Sequence, residues 1–226
     1  NGTKASVMNG DQADLLVVLV RTAGQPGDKE GLSLFLVDAN AEGIERAPHR
    51  MVDGRQGAEI RFADVSVSQD ACIGELNKGY DVAKAVLQEG LLALSAESVG
   101  SMSVLLDDTV EYTKTRKQFG VPISKFQVLQ FRMTDMFIAM EQTRSLLLAS
   151  TLKYVEGHAD ADKAVHAMKA QLGRAGRKIG QEAIQIHGGM GMTDELGVGH
   201  FVKRLTAADG LFGNADVHLR GMVKPA

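Results

Sequence analysis

The chain has 226 residues, 44% of them hydrophobic and 23% charged, the makeup of a globular protein long enough for one large or two small cores. A formal net charge of -3 and a pI near 6.1 leave no electrostatic footprint for nucleic acid, and no long basic run suits an anionic membrane. Cys72 is the single cysteine, which excludes an intrachain disulfide and a zinc cluster; it predicts a reducing, cytoplasmic setting with a plain buried or edge thiol.

No apolar stretch approaches ~18 residues, and the N-terminus lacks the basic start and apolar core of a signal peptide. From Asp14 to Val67 apolar residues come in short β-branched runs, Leu15 to Val20, Leu32 to Val37 and Ile60 to Phe62. Stretches such as Gly24-Gln25-Pro26-Gly27-Asp28 separate them, so they read as strands joined by turns. After Gly74 and Gly79 the texture turns helical. The predicted helices run from about Lys78 to Lys117, Lys125 to Glu156, Asp160 to Ile186 and Phe201 to Leu211, and helices this long with brief connections argue for an antiparallel bundle. Leu129, Met133, Met136, Met140, Leu147 and Tyr154 form one buried stripe on the second, read as core filling.

Two motifs stand out, Arg116-Lys117-Gln118-Phe119-Gly120 and Gln185-Ile186-His187-Gly188-Gly189-Met190-Gly191. A guanidinium is a planar fork of donors suited to a diphosphate, and glycines admit a ligand where a Cβ would clash. Singly, Arg116 reads equally as a helix-end cation and Gly188 and Gly189 as a helix C-cap. His49, His158, His166, His187, His200 and His218 have neither HExxH spacing nor a nearby cysteine, so all six are read as structural or surface residues.

In this order and spacing, Glu111-Tyr112-Thr113-Lys114-Thr115-Arg116-Lys117-Gln118-Phe119-Gly120 followed by the Gln185 loop resembles the acyl-CoA dehydrogenases, which oxidise acyl-CoA thioesters to enoyl-CoA with FAD. Asn1-Gly2-Thr3-Lys4 and the strand through Arg21-Thr22 are similar to the family's middle β-domain, and Gly74-Glu75-Leu76-Asn77-Lys78-Gly79-Tyr80 to its entry into the helical domain. The resemblance implies an α+β fold: a partial β-barrel or sandwich middle domain over residues 1–74, then an antiparallel four-helix-bundle domain over 75–226. A preceding helical domain and the start of the β-domain are expected to lie outside this chain. It also implies that FAD is shared across an interface in a dimer or tetramer of like or unlike chains, with an electron-transfer protein as a further partner. Arg116 would contact the diphosphate, Gln118 would make a polar contact and Phe119 would pack on the cofactor. Gln127 falls on another FAD-contacting position, and Gln185, Gly188 and Gly189 on the loop beneath the adenosine.

The catalytic base departs from this pattern. A carboxylate in a dry pocket suits abstraction of the thioester α-proton, because desolvation raises its pKa. Counting on from Gly188-Gly189 puts Phe212 on the family's usual Glu position; counting back from Arg116 puts Gly90 and Leu91 on the Glu-Arg pair that some relatives use instead. Gln88 and Leu91 replace an Asp-x-x-Arg substrate contact, and Ser6-Val7-Met8 replaces a Trp-Ile-Thr that lies against the flavin. Glu89, Glu97, Asp209 and Asp216 are the candidate substitutes, each read first as a solvated carboxylate. Lys203 to Thr206 and Leu211 to Asp216 are most similar to the small subunits of two-subunit bacterial dehydrogenases of the pimeloyl-CoA type. The expected function is thus acyl-CoA dehydrogenation; the rivals are a catalytically silent subunit that completes a partner's FAD site, and a flavin-binding module without dehydrogenase activity, such as one associated with nucleic acid, which the acidic balance disfavours.

Overall fold

The structure is a computed structural model that describes residues 1–223. It forms two compact units, Asn1–Leu87 and Gln88 onward. In the first unit, β1 (Gly2–Met8), β5 (Gln56–Phe62) and β4 (Ile44–Arg50) form one antiparallel sheet in the order β1-β5-β4, and β2 (Leu15–Arg21), β3 (Leu32–Asp38) and β6 (Cys72–Ile73) a second, β2-β3-β6. Leu16 and Val18 of β2 point into a core with Val37, Ala39, Ala58 and Ile60, while Leu15 and Val17 alternate outward. β4 holds Pro48 and lacks apolar alternation, which is why the sequence hides it; as an edge strand it tolerates a residue that cannot donate. Cys72 is half-buried on the edge strand β6, an unpaired thiol as expected. The first nine residues of α1, Gly79 to Leu87, belong to this unit, and Gly79 lies directly against Ser33 and Leu34.

The second unit is helical. α1 (Gly79–Thr115) is followed by a short hairpin of β7 (Lys117–Gln118) and β8 (Val121–Pro122), then by α2 (Gln127–Val155), α3 (Ala161–His187), α4 (Val198–Gly210) and α5 (Ala215–Val223). Four of these match the predicted spans closely; α5, nine residues long, was not predicted. The core joins Val99, Met102, Leu105 and Leu106 of α1 to Met136 and Met140 of α2, Ala175, Ile179 and Ala183 of α3, and Leu205 of α4. The predicted stripe on α2 packs into it, except that Tyr154 serves a separate cluster with Leu91, Leu92 and Val165.

The expectation that no segment is long and apolar enough for a membrane span needs correction. By length and composition α1 qualifies, with an 18-residue window of mean hydropathy 1.2, but 56% of that window is buried inside the protein. Its buried polar residues are serines and threonines bonded within the helix. Ser95, Ser98 and Thr109 are buried and donate to the carbonyls of Leu91, Leu94 and Leu105, one turn back. α1 is therefore a core helix whose hydroxyls escape a hydropathy scan for unbroken apolar runs.

Candidate functional site

One end of the helical unit gathers the two motifs. Tyr112, in the last turn of α1, stacks on His187, at the end of α3, with ring centroids 4.3 Å apart; its hydroxyl donates to the His187 carbonyl at 3.3 Å. His187 is 5% exposed and its Nδ1–H donates to the Ala183 carbonyl at 2.8 Å, so it fastens the Gly188–Gly189 loop structurally. The Ile123 amide bonds to the Arg116 carbonyl at 2.8 Å and closes the hairpin over the start of α2. Arg116, Gln118, Phe119, Gln127, Gln185, Gly188 and Gly189 are thus brought to one end of the bundle, all exposed. Among the described residues Gln118 bonds only to the adjacent Lys117 carbonyl, and the side chains of Arg116, Gln127 and Gln185 find no partner. Gly188 also caps α3, with φ 62°, and a Cβ at either Gly188 or Gly189 would meet open space. The residues fit a flat, anionic cofactor: the backbone is approachable, and the donors are uncommitted.

Backbone strain marks the same residues. Among non-glycine residues with positive φ, Asn9, Asp64 and Asn77 are types that visit this region readily, which leaves Ser6, Phe119 and Phe212. Each lies in a segment singled out from sequence. Ser6 sits in the irregular register between Lys4 and Val7 of β1. Phe119 and Gly120, with φ 54° and 81°, are the two central residues of the β7–β8 hairpin, a turn that favours Asn-Gly. Left-handed backbone costs a residue with a Cβ about 1–2 kcal/mol, and Phe119 is 92% exposed, touching Phe126 edge-on at 6.0 Å. Neither burial nor backbone preference within the chain accounts for a phenylalanine there.

The positions expected to hold a base lie elsewhere. An ideal Cβ built on Gly90 would lie 3.7 Å from Cε2 and Cζ of Phe212, so the two alternative base positions face each other, with no carboxylate at either. From Gly90 to Thr115 α1 rises about 38 Å at 1.5 Å per residue, so this pair and Arg116 lie toward opposite ends of the helix. The candidate substitutes are occupied otherwise. Both oxygens of Glu97 accept from Arg204 at 2.7 Å, Glu89 accepts from the Tyr154 hydroxyl at 3.4 Å, and Asp209 accepts from the Ala215 amide and Arg177. Asp216 lies exposed in the first turn of α5, which Asn214 caps by accepting from the Val217 amide. Gln88 donates to Asp162.

Sequence reasoning missed a polar cluster next to Phe212, made by the buried Lys169 and His218 with the half-buried His166. Its one sequence signal is Lys169 itself, which falls on the apolar face of α3 with Val165 and Leu172 and is fully buried. Among the described residues no group of three His, Cys, Asp or Glu side chains could hold a metal.

Comparison with known proteins agrees with this geometry. Residues 1–65 match the family model for the acyl-CoA dehydrogenase middle domain, and 77–225 that for the acyl-CoA dehydrogenase C-terminal domain. A short-chain-specific acyl-CoA dehydrogenase of Megasphaera elsdenii is 31% identical over 206 residues, which is 90% of this chain and 53% of that protein. The chain thus spans about half the length of that relative. A solved structure of PigA with FAD and proline superposes with a TM-score of 0.92 at 28% identity, over 98% of this chain and 58% of that one. The ChsE4-ChsE5 complex from Mycobacterium tuberculosis superposes at 0.89 and 25% identity, over 100% and 60%. With both family models matched in order across nearly its whole length, the chain belongs to the acyl-CoA dehydrogenase family.

Proposed function

We propose that this chain serves FAD-dependent α,β-dehydrogenation of an acyl-CoA thioester as part of an oligomer, with residues 1–74 as part of a middle β-domain and 75–226 as the helical domain. Arg116, Gln118, Phe119, Gln127 and the Gln185, Gly188 and Gly189 loop hold FAD that belongs to a neighbouring chain. The observation that carries the reading is Phe119, a strained and fully displayed aromatic beside the exposed donors Arg116 and Gln118, about 38 Å along α1 from Gly90. When bound, FAD would supply the hydride acceptor. Arg116 would neutralise and orient its diphosphate, Phe119 would cover an apolar face and exclude water, and the exposed glycine loop would leave room for the adenosine.

A second reading has its own support: Gly90 and Phe212 leave no proton acceptor at either expected base position, so the chain acts as a silent subunit whose partner supplies the base. Relatives described as a caffeyl-CoA reductase-Etf complex subunit and as a ChsE4-ChsE5 complex are consistent with unlike partners and with electron transfer to a separate protein. The apolar residues left outward on α2, Phe131, Ile138, Leu148 and Leu152, suit burial by another chain. The test is flavin retention and flavin bleaching by acyl-CoA, for the protein alone and mixed with a family member that carries the Glu. Arg116→Ala should remove charge-assisted bonds of about 1.5–3 kcal/mol each and weaken FAD about tenfold or more. Stoichiometric flavin in a proven monomer, indifferent to Arg116→Ala, would refute the shared-cofactor reading, and ready bleaching by the protein alone would refute the silent one.

A further inference from the structure

α5 is fastened to the bundle by polar groups rather than by an apolar face. Among the described residues none of its side chains belongs to the hydrophobic clusters of this unit, and its one buried residue is His218, 3% exposed. Val217 and Val223 face outward. A surface helix ordinarily docks by burying an apolar stripe; here glycines bring the backbones together instead. A Cβ on Gly221 of α5 would come within 2.8 Å of the His166 ring on α3. One on Gly173 of α3 would run into the Asp209 carboxylate and lie 3.1 Å from the Ala215 Cβ at the start of α5.

His218 makes the join. Its Nε2 lies 3.0 Å from the Phe212 carbonyl, which can only accept, so that nitrogen carries a proton. Its Nδ1 lies 2.9 Å from Nδ1 of His166, and two ring nitrogens bond only when one brings a proton and the other a lone pair. With Nε2 already protonated, a neutral His218 supplies the lone pair and His166 the proton. A further proton on His218 removes that lone pair, and the bond between the helices becomes a repulsion between two N–H groups.

The groups that face His218 come from three elements. On α3 they are His166 and Lys169, whose ammonium donates at 2.8 Å to the carbonyls of Ala208 and Asp209, and at the end of α4 the Asp209 carboxylate. Asp216 and Arg220, on α5 itself, are exposed. Asp162, one turn before His166, accepts from Gln88. Burial is the largest influence and pushes the His218 pKa below 6.5; the Phe212 carbonyl and Asp209 oppose it, and His166 and Lys169 reinforce it. Lys169, at about 8, stays charged throughout the acid range.

We propose that the His166 and His218 pair is an acid-released latch: proton uptake by His218 undocks α5 from α3 while the rest of the helical unit stays folded. The core clusters draw nothing from α5, so its departure leaves them intact. An undocked ring takes up its proton near the ordinary value and a docked one only at lower pH, so undocking gains ground as pH falls below 6.5 and levels off once the docked ring also titrates. The chain therefore has two surfaces on this side of α3. At neutral pH α5 covers it, and in acid the face from His166 to Gly173 is bare.

The chain contains no tryptophan, so Met222→Trp places a lone fluorophore at a half-buried position of α5. Taking the full chain from about pH 7.5 to about pH 5, either side of the ordinary histidine value, is expected to red-shift the emission and raise the acrylamide quenching constant at least twofold. The change should reverse on neutralisation, with the circular dichroism of the long helices retained. His218→Gln should stay docked and lose the response, because its amide gives one hydrogen bond and accepts the other at either pH. As a check free of tryptophan, amide exchange of α5 in the parent, corrected for the intrinsic effect of pH, should accelerate at least twofold on acidification while α2 and α3 stay protected. Exchange decides where the two readouts differ. Unchanged exchange of α5, a response that persists in full with His218→Gln, or exposure of α5 only at the pH where α2 and α3 unfold with it would each overturn the proposal.

Discussion

Replacing Phe119 by asparagine should make the isolated chain more stable and the assembled one less able to hold flavin. Phe119 pays the left-handed backbone penalty of about 1–2 kcal/mol, and asparagine, the preferred residue before glycine in this hairpin, largely escapes it. Because the ring is 92% exposed, its removal forfeits almost no burial. What is lost is the edge-to-face contact with Phe126, 6.0 Å between centroids at 86°, worth about 0.5–1.5 kcal/mol for such a pair. The balance is a gain near ~0.5 kcal/mol, which for a chain of this size raises the Tm by about 1–2 °C. Thermal unfolding by circular dichroism measures the first effect, and the ratio of flavin to protein absorbance after desalting measures the second. A lowered Tm would mean that Phe119 stabilises its own chain, and unchanged flavin content would remove it from the cofactor.

The remaining predictions concern Glu97, at the middle of α1, and the polar cluster of Lys169 and His218 on α3 and α5. Glu97→Gln should cost about 1 kcal/mol by weakening the bidentate, partly exposed pair with Arg204, while leaving any acyl-CoA-dependent bleaching as it was; abolished bleaching in a folded variant would make Glu97 the base. Lys169→Met should destabilise by about 2 kcal/mol, read by urea unfolding at pH 7, since two carbonyls lose charged donors. Burial lowers the Lys169 pKa to about 8, with Asp209 opposing. Between pH 8 and the ordinary value of 10.5 the unfolded chain therefore holds the extra proton, and the stability of the parent should rise with pH relative to Lys169→Met; a flat difference refutes the depressed pKa. For His218, also depressed, the sign is the same and the window lies just below its ordinary 6.5: stability should fall as pH drops through it, and His218→Gln should flatten that fall.

The helices were legible in the sequence because residues such as Leu129, Met133, Met136 and Met140 of α2 recur at helical spacing. The expectation of FAD contacts rests on two short motifs in a fixed order, Arg116 to Gly120 and Gln185 to Gly189, and that of lost base positions at Gly90 and Phe212 on counting from those motifs. That Phe212 lies across from Gly90 was beyond the reach of the sequence, since the two positions are 122 residues apart and meet through a turn whose conformation no local preference selects. β4 was invisible because Pro48 and His49 interrupt any alternation, and α5 because nine residues carry too few turns to display a period. The His166, Lys169 and His218 cluster escaped because isolated polar residues are usually solvated, and only burial distinguishes these.

The hydroxyl-studded apolar character of α1 has a consequence for biosynthesis. On the ribosome α1 is complete about 70 residues before the end of α3, the helix that supplies much of its cover. At synthesis rates of about 5–20 residues per second, a segment hydropathic enough to pass for a membrane span stands bare for several seconds. Its buried serines and threonines lower its affinity for lipid during that interval without costing the core, since each hydroxyl already bonds to its own helix. Leucine or valine at Ser95 or Ser98 would therefore act first on the nascent chain, diverting it toward membrane or chaperone capture before any folded molecule exists to be destabilised.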